Sequence, residues 1–265
     1  MMPDSLSSAA IRRGLSTGFV GQKVIYRSQI GSTNDEARRL AMEGAPEGTL
    51  VITEFQSAGR GRMDRDWIAP PGSSLLISIL FRPAIAAHQV QRLTMSCGLA
   101  VVSAIEEQTG LRADLKWPND LVISGAKAGG ILTEIGLEGT GVDYAVVGIG
   151  LNVNLDPNHL PDKLAMPATS LSHELGTKVD RLPLLRTLLQ TVEERYLALH
   201  EGRSPHREWA ARLVTLGKPV TVTATGSVLE GTAEGVDADG ALLVRLADGR
   251  LERVLAGDVT IRTLG

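Results

Sequence analysis

Cysteine is almost missing from this chain: Cys97 is the one cysteine in 265 residues. No disulfide framework can therefore hold the fold, and a reducing cytoplasm is the expected setting. Cys97 lies in an apolar run of helical spacing and reads as a small core residue rather than a nucleophile. No apolar run is long enough to cross a bilayer, and the first twenty residues lack the charged-then-apolar order of a signal peptide, so neither membrane insertion nor export is expected. A basic excess is missing too. Lys and Arg number 27 against 30 Asp and Glu, a net charge of −3, which argues against a dedicated nucleic-acid binder. The five histidines, at 88, 159, 173, 200 and 206, show no metal-ligand spacing. No Gly-x-Ser-x-Gly elbow occurs, and Gly217-Lys218 is followed by proline where a P-loop needs Ser or Thr. Metalloenzyme, serine hydrolase and P-loop chemistry are thus not indicated.

What is present is enough apolar sequence, 43% of residues, to bury a core in one large domain with a small appendage. Residues 1–20 carry one marginal helix and are expected as a loosely held arm. Lys23 to Ile30 and Thr49 to Phe55 read as strands. Between them Gly31-Ser32-Thr33-Asn34 opens a helix that Ser32 or Thr33 can cap, with Asp35 and Glu36 in its first turn. Ser74–Phe81 is too apolar to face water and reads as a central strand. A helix over 88–109 precedes strand candidates at Ala113–Lys116, Leu121–Ser124, Lys127–Ile135 and Tyr144–Asn154. Helices follow at Leu171–Leu175, Leu182–His200 and Pro205–Leu213. Strands that pair locally between helices predict an α+β class with a mixed, mostly antiparallel sheet over 21–215. Five short β-prone pieces follow, at 219–225, 227–235, 241–246, 250–254 and 258–262, and predict a small β-barrel over 216–265.

Three stretches look built to hold a ligand. Gly59 to Trp67 packs three arginines and two glycines into nine residues. The glycines let backbone N–H groups approach an anion, Arg60, Arg62 and Arg65 offer planar forks to its oxygens, and Trp67 can stack on a ring. With so little apolar surface the segment is expected to order only around its ligand. An ordinary solvated turn, with Asp64 and Asp66 lowering the charge, is the alternative. Lys116-Trp117-Pro118-Asn119-Asp120 sets a cation and two polar side chains on a rigid turn. It could be only a turn, but Lys127, followed by Ala-Gly-Gly, adds a second cation beside open space. Gly148-Ile149-Gly150-Leu151-Asn152-Val153-Asn154 invites a dinucleotide-binding reading, which fails because the third glycine and the following helix are missing. A strand running close to a flat ligand, with glycines clearing space and asparagines pairing polar groups, fits better.

Taken together, Glu54-x-Gln56-x-x-Gly59-Arg60-Gly61-Arg62 with Trp67, the 116–127 stretch and Gly148-Ile149-Gly150-x-Asn152-x-Asn154 resemble a biotin–protein ligase, from about Val24 to Leu264. The resemblance implies a class II synthetase-like catalytic domain and an SH3-like C-terminal domain. It implies that biotin's carboxylate attacks the α-phosphate of ATP, giving biotinyl-5′-AMP and pyrophosphate, with Mg2+ carried by ATP, and that a lysine of a biotin carboxyl carrier protein then takes the biotinyl group. By the same resemblance Ser32, Thr33, Gln56, Gly59, Arg60, Lys127, Gly130, Gly148 and Gly150 contact biotin. Arg62, Trp67, Lys116, Asn119 and Asn152 contact ATP or the adenylate, and Lys127, Arg60, Arg62 and Lys116 carry the chemistry by neutralising charge. A lipoate–protein ligase-like acyltransferase would be expected to lack the Gly-Arg-Gly-Arg loop and the terminal barrel, and a non-catalytic biotin- or nucleotide-binding regulator would have no use for both lysines. Where the family loop reads Gly-Arg-Gly-Arg-x-Gly-Arg-x-Trp, this chain has Asp64 for the third glycine, and Asp64 is expected to pair with Arg62 or Arg65. The N-terminus offers no room for a DNA-reading domain, so no nucleic-acid or membrane partner is expected; a homodimer is left open.

Overall fold

The apolar run Ser74–Phe81 becomes a strand buried along its whole length, and the large sheet is laid out on either side of it. The computed structural model of the chain describes residues 6–139, 141–160, 164, 166–224 and 227–262, with the side chains of Asp64 and Ala224 outside that description. In chain order the elements are α1 (Ser8–Arg12), β1 (Val24–Arg27), α2 (Thr33–Met42), β2 (Leu50–Thr53), β3 (Ser74–Phe81), α3 (Gln91–Thr109), β4 (Asp114–Lys116), β5 (Asp120–Ile123), β6 (Ala126–Glu138) and β7 (Gly141–Asn152). There follow α4 (Leu171–Leu175), α5 (Arg181–His200), α6 (His206–Arg212), β8 (Pro219–Ala224), β9 (Ser227–Val236), β10 (Leu242–Arg245), β11 (Leu251–Val254) and β12 (Asp258–Ile261). The first seven strands form one sheet in the order β1-β2-β3-β7-β6-β5-β4, and the last five another in the order β11-β10-β9-β8-β12. Only β1 and β2 run parallel in the large sheet; its other ladders, and all of those in the small one, are antiparallel. The α+β class and the small C-terminal β unit are as the sequence predicts.

Alternation along the strands sends each sheet face to a different partner. Leu75, Ile77, Ile79 and Phe81 of β3 join Val147, Ile149 and Leu151 of β7 in the main core beneath α3 and α5. On the opposite face Leu80 and Val146 pack under Ala37 and Ala41 of α2. Helix α2 is short and covers only one end of that face. The register places Gly150 between Leu76 and Gly130, and Gly148 between Ser78 and Leu132, so three glycines lie together on this face near the start of α2 and leave room above the sheet.

The small sheet shares the main core: Val220, Val222, Leu242 and Val244 belong to the same cluster as Met95 and Trp117. Trp117, 1% exposed, donates from its indole Nε1 to the Gly240 carbonyl at 2.9 Å, and Arg92 pairs with Asp239 at 2.8 Å. The arm expected to be loose is held where it is described. Ile11 is fully buried, Arg186 of α5 donates to the Ala10 carbonyl, and Glu193 of α5 accepts from the backbone N–H groups of Phe19 and Val20, each at 2.8 Å. One buried isoleucine and a carboxylate from a distant helix do what local helix propensity could not. Cys97 is buried in α3, where lack of solvation pushes its thiol up to about 12.

Candidate active site

The bare end of the sheet is the floor of a cavity of about 280 Å³, and residues from every stretch singled out above line it. Ser32 and Thr33 come from the start of α2, Gln56, Arg60, Arg62 and Trp67 from the segment after β2, and Lys116 and Asn119 from the β4–β5 turn. Lys127 and Gly130 come from β6, and Gly148, Gly150 and Asn152 from β7. Gly59 is not on the wall. A Cβ there would stand 2.6 Å from the Trp67 carbonyl, so this glycine lets the loop fold back on itself rather than admitting a ligand. The other glycines also make room for protein groups. A Cβ on Gly148 would meet the Asn34 amide oxygen at 2.2 Å, and one on Gly150 would meet the Trp67 ring at 2.6 Å.

Trp67 is thus laid on the glycine floor as one wall of the cavity. Its Nε1 is buried without a hydrogen-bond partner, and so is the Oδ1 of Asn152, whose Nδ2 donates to the Thr169 carbonyl at 3.0 Å. Asn154, expected to pair with a ligand, instead exchanges two hydrogen bonds of 2.9 Å with the Val179 backbone. Asn119 lines the cavity while donating to the Ile131 carbonyl at 2.6 Å.

Asp120 is the acid shared by Lys127, Lys116 and Arg62. Lys127 Nζ lies 2.5 Å from Asp120 Oδ1 and 5.8 Å from the centre of the Trp67 ring. A bulge between Leu121 and Val122 shifts the β5–β6 register, pairing Lys127 with Val122 and Gly130 with Asp120. Burial lowers the Lys116 pKa; Asp120 works against this, and Lys127 and Arg65 add to it. Burial likewise lowers that of Arg62, again opposed by Asp120. Five cationic side chains, Arg60, Arg62, Arg65, Lys116 and Lys127, line the cavity against three acids, Asp66, Asp120 and Asp258, a balance that favours an anionic ligand.

The loop that carries the arginines folds as a small hairpin, with the Trp67 N–H bonded to the Gly59 carbonyl at 2.9 Å and the Gly61 N–H to that of Arg65 at 2.7 Å. Its turn places Met63 at φ 53, in the left-handed region, one residue before the position where the family pattern has glycine. Arg60 pairs with Asp35 at 2.6 Å, Arg62 donates to the Gly257 carbonyl at 3.1 Å, and Arg65 pairs with Asp258. The Asp64 side chain, and with it the expected pair to Arg62 or Arg65, lies outside the described residues. The helix cap is also revised: Ser32 makes no side-chain cap bond, and the Thr33 N–H is met by Gln56 Oε1 at 2.7 Å.

Residues 26–152 match the Biotin/lipoate A/B protein ligase family, and residues 215–262 the biotin protein ligase C-terminal domain. The chain is 38% identical over 261 residues to the bifunctional ligase/repressor BirA of Bacillus subtilis, covering 98% of this chain and 80% of that protein. It is 35% identical to the biotin--[acetyl-CoA-carboxylase] ligase of Paracoccus denitrificans, over 83% of this chain and 92% of that one. The chain belongs to the biotin protein ligase family. Among solved structures, the biotin protein ligase from Aquifex aeolicus in complex with biotin and ATP superposes with a TM-score of 0.76 at 28% identity, covering 91% of this chain and 99% of that one.

For a biotin protein ligase the sequence motifs were the informative part, and the contacts between them were not. Asp120, Arg65, Ile131 and Leu132 line the cavity and sit within or next to the motifs quoted. Asp258, Val259 and Thr260 also line it, yet nothing in the terminal strand marks them in advance. Among the described residues no helix is long and apolar enough to cross a membrane.

Proposed function

We propose that this cavity binds biotin and ATP together, joins them as biotinyl-5′-AMP with release of pyrophosphate, and passes the biotinyl group to a lysine of a biotin carboxyl carrier protein. The observation that carries this reading is that Lys116, Lys127, Arg60 and Arg62 line one cavity together with Gly130, Gly148 and Gly150. A carboxylate approaching a triphosphate must overcome charge repulsion, and fixed cations lower that barrier without forming a covalent bond. In this reading Ser32, Thr33, Gln56 and Arg60 hold the biotin ring system, with Gly130, Gly148 and Gly150 beneath it. Lys127 lies at the carboxylate and α-phosphate, and Arg62, Lys116, Asn119 and Asn152 hold the nucleotide, with Trp67 as a wall beside the adenylate. Asp120 balances the two lysines while the site is empty and releases Lys127 to the phosphate when it fills. Magnesium enters on the triphosphate and is assigned no protein ligand. Nucleic acid has no part in this reading, which is the same for a monomer and a homodimer.

Incubating the protein with biotin, ATP and Mg2+ and measuring pyrophosphate tests it. Biotin-dependent release, followed by labelling of an added carrier domain, is expected. Release with lipoate but not biotin would assign the lipoate–protein ligase alternative, and binding without release would make the chain a regulator.

A further inference from the structure

The ladder between β6 and β7 starts at Gly129 and Leu151, and Lys127 lies outside it. Residues 167–169 take up that side of the strand instead. Lys127 donates its N–H to the Pro167 carbonyl at 2.7 Å, and its own carbonyl accepts from the Thr169 N–H at 2.9 Å, an isolated bridge between Lys127 and Ala168. At the end of β7 the Thr169 carbonyl accepts from Asn152 Nδ2 at 3.0 Å. Only the nitrogen of an amide can donate to a carbonyl, so this bond fixes which way the Asn152 amide is turned. Its Oδ1, without a hydrogen-bond partner, is the atom left for the cavity that Asn152 lines.

What holds this segment lies outside the cavity. Thr169, 2% exposed, donates from Oγ1 to Oε1 of Glu174 in α4, and Ser124 donates to Glu174 Oε2 at 2.7 Å. Ser124 sits in the tight turn between β5 and β6, in the left-handed region at φ 51. Helix α4 is itself tied to the chain after β7, where Ser170 Oγ donates to the Leu155 carbonyl at 2.6 Å. One carboxylate thus fastens Thr169 to the hairpin that carries Lys127. The hydrogen bond from Thr169, joined by that from Ser124, holds the Glu174 carboxyl below its ordinary range against the opposing effect of burial, and bonds to an ionised acceptor are the strong kind. Glu174, Thr169 and Ser124 are not among the residues lining the cavity, so they can serve the reaction only through those that are. Lys127 is also paired with Val122 across the β5–β6 ladder, whereas the Asn152 amide is directed by the Thr169 carbonyl.

We propose that Glu174 is a positioning residue for the site: by clamping Thr169 beside β6 and β7, it sets the direction of the Asn152 amide toward the nucleotide. The inference rests on the reading of Asn152 as a nucleotide contact. With the carboxylate gone, Thr169 loses its side-chain anchor, its carbonyl shifts, and the Asn152 amide is free to turn.

The test follows pyrophosphate release from biotin and ATP in Glu174→Ala and the wild type. KM for ATP is expected to rise about tenfold, the value of one hydrogen bond to a ligand, with KM for biotin unchanged. Thr169→Val cuts the same clamp from its other end and is expected to raise KM for ATP as much, with no further rise when the two substitutions are combined. In an Asn152→Ala background Glu174→Ala is expected to add nothing, because Glu174 reaches the nucleotide through Asn152. If Glu174→Ala does not fold, Glu174→Gln keeps the packing and one acceptor oxygen and is expected to show the same split in smaller measure. Equal changes in KM for ATP and biotin, or additive effects in either double variant, overturn the proposal and leave Glu174 as a brace for α4. An Asn152→Ala variant with an unchanged KM for ATP, or a wild type that releases no pyrophosphate with biotin, overturns the reading of the site itself.

Discussion

The floor of the cavity and the arginine loop face the same space but are held by different means. The floor is strand: Gly130, Gly148 and Gly150 are fixed by ladder hydrogen bonds on both sides, and Lys127 is locked further by its N–H to the Pro167 carbonyl at 2.7 Å. The loop is held by two hairpin bonds and by its side chains, with Arg60 reaching to α2 and Arg62 and Arg65 to the terminal β unit. Backbone ladders persist whatever the side chains do, while exposed ion pairs contribute only about 0–1 kcal/mol each. In the proposed reading the strands would fix the groups that react, and the loop would adjust over the ligand.

Altering Lys127, the cation proposed to act at the carboxylate and α-phosphate, should give the largest effect. Lys127→Ala is expected to lower biotin-dependent pyrophosphate release by ~10²–10³-fold while leaving the melting temperature nearly unchanged, as for other losses of one fixed charge at a reacting centre. Unchanged release from a folded variant would remove Lys127 from the chemistry. Next in size, Gly150→Ala sets a Cβ against the Trp67 ring, and overpacking of about 1–3 kcal/mol should appear as roughly tenfold weaker binding of the adenylate, measured by calorimetry. A variant that binds normally would mean that Trp67 is free to leave the floor.

The difference between the two regions also explains what could be read from the sequence. The floor was legible because its functional groups sit in short runs whose spacing is itself structural: glycines two apart on one strand, and two lysines flanking a turn. The strand Ser74–Phe81 and the helix Leu171–Leu175 were legible to the residue, since an unbroken apolar run and a Ser170 cap with a Gly176 end leave few alternatives. The loop's composition was legible, but its partners were not. Asp258 lies 193 residues from Arg65 in sequence, and no local pattern announces it. The same holds for Arg181, 3% exposed, whose pair with Glu54 at 2.7 Å anchors the strand that leads into the loop. The role of Gly148 was also misread in part: it makes way for Asn34 as well as facing the cavity, and a glycine does not say which neighbour needs the room.

Smaller effects are expected from the loop's moorings. Asp258→Ala frees Arg65 from the terminal β unit and should raise KM for ATP only severalfold, in line with the roughly 0–1 kcal/mol of an exposed pair. A loss as large as that of Lys127→Ala would make the terminal unit part of the reacting centre. Smallest of all, Asp64→Gly restores the family's glycine in the loop. A neighbouring negative charge is removed while the ordering cost grows, so adenylate affinity should rise slightly, by less than about tenfold. Weakening of tenfold or more in a calorimetric titration would mean that Asp64 holds the ligand or a structural partner.

The contrast between a built floor and a ligand-dependent cover is tested most directly by hydrogen exchange of the whole protein, with and without biotin plus ATP. Residues 148–152 should be protected equally in both states, because their amides are committed to the sheet, while residues 59–67 should gain protection only when the ligands are present. Equal protection of 59–67 in the two states would contradict the account, since the arginine loop would then be as fixed as the strands beneath it.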